Sequence, residues 1–199
     1  MYTTRIYQST IKAIFTALAF LYFITGGITL NAQEFLGVSV SGNKSQILKK
    51  FKSKGFRVDG DDKKDAFMMR GKANNMELEL VISCSPISKK VWKVSVYLPK
   101  QDSWEALKEQ YDEYLENLTE KYGKPENVYT GFSGGYEEGD GDEMEGVAAD
   151  KCNYSAYWKS SKGISIKISE YKQIKIGYEN EVNSKIDDQE KKKLKTSIF

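Results

Sequence analysis

Few residue types in this chain can do chemistry. Histidine is absent, which removes every mechanism that needs an imidazole: Ser-His-Asp and Cys-His nucleophilic sites, and His-ligated zinc or iron. The two cysteines, Cys84 and Cys152, are too few for a Cys₄ zinc site. Carboxylates, tyrosines and thiols remain. Two acids at a fixed separation, with their pKa values pushed apart, can hydrolyse a glycan. The acids here are numerous but fall mostly at solvent-facing or loop positions. They are densest at 137–145, inside the mobile acidic loop expected at Ser133–Gly146, SGGYEEGDGDEMEG. Glu138, Asp140 and Asp142 alternate as oxygen ligands for a hard cation would, but Glu143 stands where an EF-hand requires glycine. No catalytic residue, metal ligand or cofactor is assigned.

Tyr97 and Tyr157 are the candidate binding residues. Each sits at an outward position of an alternating strand, and tyrosine combines a large contact area with a polar tip. Tyrosines at sheet rims also serve as plain packing, so both readings stand at this point.

A helix over 102–125 organises the elements that position these residues. Trp104, Leu107, Tyr111, Leu115, Leu118 and Tyr122 recur at spacings of three and four, on one face. Asp102 or Ser103 caps its start, Gly123 suits its end, and Pro125 cannot continue it. A shorter helix is expected at Lys44–Lys54 after a first strand at 35–42. Met76–Cys84 alternates Met, Leu, Leu, Ile and Cys, and Val91–Leu98 places Trp92, Val94, Val96 and Leu98 on one side. Asp150–Trp158, Gly163–Glu170 and 174–178 continue the period of two, which predicts antiparallel strands with one buried face. Trp92, Val94, Trp104 and Ile166 are expected to be deeply buried. A C-terminal helix is predicted at about 182–197, with Ser184 and Asp187 as a capping box.

The N-terminus reads as a targeting segment. Arg5 and Lys12 precede the uncharged run Ala13–Leu30, and Ala32 offers a small residue for cleavage before Gln33. A cleaved signal peptide over 1–32 is expected. The alternative is a retained membrane anchor through 13–30. Either route puts the remaining chain, 33–199, outside the cytoplasm, periplasmic or secreted. Without the segment, 28 acidic residues meet an equal number of basic ones. That balance gives no electrostatic case for nucleic acid.

The two halves, about 35–99 and 100–180, echo one another. Each runs from a helix through a polar loop to about three strands, with one cysteine beside its hairpin. The expected fold is therefore α+β: a largely antiparallel sheet, helices on one face, and two tandem helix-plus-three-strand units within one domain. Cys84 and Cys152 are expected to pair, since disulfides persist outside the cytoplasm; two separate buried thiols fit the same pattern. Phe35-Leu36-Gly37 with Gly42, the Lys54-Gly55-Phe56 exit, and Trp104 with Tyr122-Gly123-Lys124-Pro125 resemble small uncharacterised exported proteins of Gram-negative gut anaerobes, over about residues 35–182. The layout is also similar to that of β-lactamase-inhibitor proteins, and that resemblance implies protein binding. The function expected is a non-catalytic binding or envelope-associated protein. Its partner would be a protein or glycan of the cell envelope, and its oligomeric state is open. The alternative is a carboxylate-based enzyme acting on glycans.

Overall fold

Alternating strands and two-sided helices need a shared apolar layer, and the sheet topology supplies it. The computed structural model describes residues 33–159 and 163–196. The expected signal segment and its Ala32 cleavage position lie outside the described residues. Among those described, no helix is long and apolar enough to cross a membrane.

Strands β1 (Glu34–Phe35) and β2 (Val38–Ser39) form a minimal hairpin instead of the single strand expected at 35–42. Leu36 and Gly37 take φ of 52° and 69°, as a two-residue hairpin turn requires. Helix α1 (Lys44–Ser53) starts with a capping box. The Asn43 side chain accepts from the Gln46 N–H, and the Gln46 side chain accepts from the Asn43 N–H. Ile47 and Phe51 are its buried side.

The main sheet has eight antiparallel strands in the order β3-β4-β5-β6-β10-β9-β8-β7. They are β3 (Arg57–Asp59), β4 (Ala66–Ala73), β5 (Met76–Cys84), β6 (Val91–Tyr97), β7 (Asn127–Tyr129), β8 (Ser155–Tyr157), β9 (Ile164–Ser169) and β10 (Gln173–Glu179). Strands β3 to β6 lie side by side, as do β7 to β10. The two sets meet where β6 pairs with β10, with Ile176 opposite Val96. Each half thus gives four strands to one sheet rather than three.

One apolar cluster fills the covered face. It joins Leu78, Leu80 and Ile82 of β5, Val94 and Val96 of β6, Ile164, Ile166 and Ile168 of β9, and Ile174 and Ile176 of β10. Helix α2 (Trp104–Tyr122) adds Trp104, Leu107, Tyr111 and Leu118 over β9 and β10. Ser103 accepts from the Ala106 N–H at its start. Each buried Leu, Ile or Phe contributes about 1.5–3 kcal/mol. Trp104, Tyr111, Phe132 and Tyr154 form an edge-to-face aromatic group against it. Helix α3 (Glu143–Ala148), unexpected from its Gly-rich surroundings, adds Val147.

Several expectations need correction. Val94, Ile166 and Trp104 are buried, but Trp92 is only partly so. Cys84 pairs with Val91 while Ser83 pairs with Lys93, so Trp92 is the extra residue of a β-bulge. The bulge puts Val91 on the core side and leaves the Trp92 ring beside the Lys93 and Lys191 ammonium groups. Cys84 and Cys152 are not bonded to each other; both are free thiols. Four inter-strand steps separate β5 from β8, about 19 Å, far beyond the roughly 7 Å a disulfide spans. Helix α4 (Glu181–Thr196) begins three residues before Ser184, and Asn180 accepts from the Asn183 N–H at its start. Asp187 is buried against the body rather than serving a cap.

Candidate binding face

The face of the sheet opposite the core carries the outward residues of all eight strands. Cross-strand pairing sets them in rows, because opposed residues share a face. One row runs Arg57, Arg70, Glu79, Tyr97, Lys175, Lys167, Ser155, Tyr129. The next runs Asp59, Met68, Val81, Ser95, Gly177, Ser165, Tyr157, Asn127. A third sets Ser83, Lys93 and Glu179 together.

In the middle row Ser95, Gly177 and Ser165 are the small central residues, and a Cβ at Gly177 would stand 2.5 Å from Ser165 Oγ and 3.6 Å from Lys93 Cε, which already cover it. On one side stand Tyr97, Lys175 and Lys167. On the other, Lys93 and Glu179 form an ion pair at 3.2 Å. Tyr157 closes the β8 end. The centre of the face is closed over by its own side chains, with Ser95 and Gly177 buried. At the Lys93 side the face opens into a hollow of about 190 Å³ lined by Lys93, Tyr157, Ser165 and Glu179 among others. Beyond Tyr97 lies a wider cleft of about 740 Å³, bounded by Arg57, Arg70, Lys72, Glu77, Glu79 and Tyr97 among others.

Both sequence candidates are on this face. Tyr157 is 42% exposed and pairs edge-to-face with Tyr129, ring centroids 6.2 Å apart. Tyr97 is partly buried, and its ring meets the edge of the exposed Tyr171 at 6.5 Å. Three inter-strand steps, about 14 Å, separate the strands of Tyr97 and Tyr157. They therefore frame one surface without touching. Burial, then the Glu170 carboxylate, pushes the Tyr97 hydroxyl up, so it stays neutral.

Lys175 is the residue that motif reading missed. It sits directly opposite Tyr97, its Nζ 5.4 Å from the ring centroid. Burial, then the nearby Lys93 ammonium, lowers its pKa below the ordinary lysine value. It makes no ion pair among the described residues, while neighbouring cations do: Arg70 with Asp59 and Glu79, Lys72 with Glu77, Lys167 with Glu170. The signal was present in QIKIGYE, where Lys175, Gly177 and Glu179 alternate outward and glycine interrupts a strand interior.

The acidic groups are arranged differently. In the large cleft Glu77 and Glu79 are each ion-paired with a base, rather than held as an acid and base of opposed character. In the 137–145 segment the carboxylates turn onto their own loop. Asp140 accepts from the Glu137 and Asp142 N–H groups, and Glu143 from that of Gly139. Glu138 accepts from the Tyr154 hydroxyl at 2.5 Å. Among the described residues no group of three or more Asp, Glu or Cys is placed to hold a metal ion. No family model matches the chain, and no significant match is found among curated proteins or solved structures.

Proposed function

We propose that this chain is an exported, non-catalytic binding protein of the cell envelope, periplasmic or surface-held, which engages its partner through the open face of the sheet. The observation that carries this reading is the hollow of about 190 Å³ that Tyr157 shares with Lys93, Ser165 and Glu179, on the face that also carries Tyr97. Tyrosine, serine and glycine together supply rigid contact area and adaptable hydrogen bonding at low entropic cost, the composition of recognition surfaces. The N-terminal run before Gln33 supports export. The ion-paired state of Glu77 and Glu79 favours binding over carboxylate-based hydrolysis of a glycan.

Affinity capture from the cell envelope tests the reading when wild type is compared with two variants. Ser165→Trp fills the hollow, and Tyr157→Ala removes part of its wall. Both should keep the wild-type circular dichroism and thermal midpoint yet lose the captured component. Retention by both folded variants would place recognition elsewhere and overturn the proposal.

A further inference from the structure

The cleft of about 740 Å³ beyond Tyr97 shares no lining residue with the hollow beside Tyr157. It has the size of a small-molecule site. Four bases line it, Arg57, Arg70, Lys72 and Lys100, against two acids, Glu77 and Glu79. Both acids are taken: Glu79 pairs with Arg70 at 3.2 Å and Glu77 with Lys72 at 3.2 Å. Arg57 and Lys100 have no acid among the described residues, so the cleft keeps two uncompensated positive charges. Arg57 also stands directly opposite Arg70 across β3 and β4. Like charges so placed destabilise a sheet. Asp59 and Glu79 answer only Arg70.

We infer that this cleft binds a small organic oxyanion, a carboxylate or a phosphate ester, with its charged group at the Arg57 guanidinium. This goes beyond the reading of the hollow at Tyr157, and either site can fail without the other. A guanidinium offers paired N–H donors that match the geometry of an oxyanion. An anion seated there replaces the repulsion between Arg57 and Arg70 with attraction to both. Lys100, just past β6 and three inter-strand steps or about 14 Å from β3, keeps the far end of the cleft positive as well. The rest of the lining suits the body of such a molecule. Tyr97 and Pro99 supply apolar contact. Gln173 is 6% exposed, and its Nε2 donates to the Leu98 carbonyl. That bond fixes the amide orientation and leaves Oε1 as an acceptor without a donor among the described residues, on a side chain that lines the cleft. A bare inorganic ion would satisfy Arg57 and leave Gln173 and Tyr97 untouched.

The test is calorimetric titration of the purified protein with three probes that share one ring system: 2-naphthoate, 2-naphthyl phosphate and the neutral 2-naphthamide. At least one of the two anions should bind at one site per chain, and the tighter of them identifies the charged group. The amide should bind about tenfold more weakly or worse, as for loss of a charged hydrogen bond. Arg57→Gln should weaken the anion by a similar factor while keeping the wild-type circular dichroism, with a thermal midpoint no lower than wild type because Arg70 loses its like-charged neighbour. Lys100→Gln should weaken it too, and serves if the first variant does not fold. Binding should also fall as salt is added. Lys63→Gln, on a different surface, and Ser165→Trp, in the other hollow, should leave the titration unchanged. Equal affinity for the amide, or full anion affinity in folded Arg57→Gln and Lys100→Gln, would overturn the inference. So would loss of binding in Ser165→Trp, or no heat from either anion at millimolar concentration. Inorganic phosphate binding as tightly as naphthyl phosphate would mean an adventitious ion only, and would overturn it as well. None of these results would touch capture of a partner through the hollow at Tyr157.

Discussion

Tyr97 and Lys175 face each other across the seam between β6 and β10, the ammonium 5.4 Å from the ring centroid. That seam is also where the two halves of the chain join into one sheet. The functional candidate and the join are therefore the same piece of structure.

Lys175→Met should leave the fold intact and raise stability modestly at neutral pH. The sign follows from linkage. Burial and Lys93 lower the lysine pKa in the folded state, so the unfolded chain holds more protons between the lowered value and the ordinary 10.5. Stability from this group therefore rises with pH through that window. Urea melts of both proteins from pH 7 to 9.5 should show a rise in wild type that the variant lacks. Equal slopes would mean that Lys175 is fully solvated.

Tyr111→Phe should be neutral or stabilising, by up to about 1 kcal/mol. Its hydroxyl is buried without a hydrogen-bond partner, and burial pushes its pKa well up. The same burial raises Tyr154 and Tyr178. Folded-state values above unfolded ones mean that stability is lost as pH rises past about 10. Thermal melts should show this alkaline loss, reduced in the variant. A marked destabilisation by Tyr111→Phe would reveal a hydroxyl partner.

Glu190→Ala should loosen α4 without disturbing the core. The buried side of α4 is polar: Asn183, Asp187 and Glu190. Asn183 donates to the Val91 carbonyl, Asp187 is ion-paired with Lys191 at 2.6 Å, and Glu190 accepts from the Ile87 and Ser88 N–H groups. Among the described residues the apolar cluster draws on the sheet and the other helices rather than on α4. Although burial works upward on the Glu190 carboxyl, the hydrogen bonds from Ser88 and Ile87 bring it below its ordinary value. Its contribution is present above the unfolded-state value and is lost as pH falls through the folded one. Hydrogen exchange should speed up in 181–196 first, both in the variant and in acid. Simultaneous loss of protection in β9 and β10 would contradict a separately held helix.

Gly71→Ala should destabilise by about 1–3 kcal/mol, as overpacking does. A Cβ at that position would lie 2.7 Å from the Phe56 ring and 2.9 Å from its Cα. Phe56 is buried and cannot retreat into solvent. Denaturant titration measures the cost, and an unchanged midpoint would show that Phe56 repacks freely.

The thiols give a direct check on the strand order. Burial pushes both Cys84 and Cys152 up to about 11, leaving them poor nucleophiles near neutral pH. A thiol reagent should find little to label in the folded protein and two free groups per chain after unfolding without reductant. Intact mass two units lower than the reduced chain would contradict the sheet order.

Much of the fold was legible because period-two and period-four patterns are local. The stripe from Trp104 to Tyr122 and the alternations in β5, β9 and β10 each declare a buried side. What stayed hidden depends on register or on short, mixed segments. Arg57–Asp59 is too short and polar to announce an edge strand, and the six residues of α3 lie among glycines. One extra residue in β6 turned Trp92 out of the core, which alternation alone cannot foresee. The expected Cys84–Cys152 bond failed because similar places in two halves are not neighbouring places in a sheet. Tyr97 and Tyr157 were readable as outward. The hollow beside Tyr157 was not, since Lys93, Glu179 and Ser165 come together only through pairing of β6, β10 and β9.

Site-specific photocrosslinking in cells that make the protein tests the central claim most directly. A photoreactive amino acid placed at Ser165, and separately at Glu109 on α2, samples the open face and the helix side. A discrete protein adduct from position 165, absent from 109 and abolished by Tyr157→Ala, is the expected result. Equal labelling from both positions, or an adduct from 109 alone, would contradict recognition through the open face of the sheet.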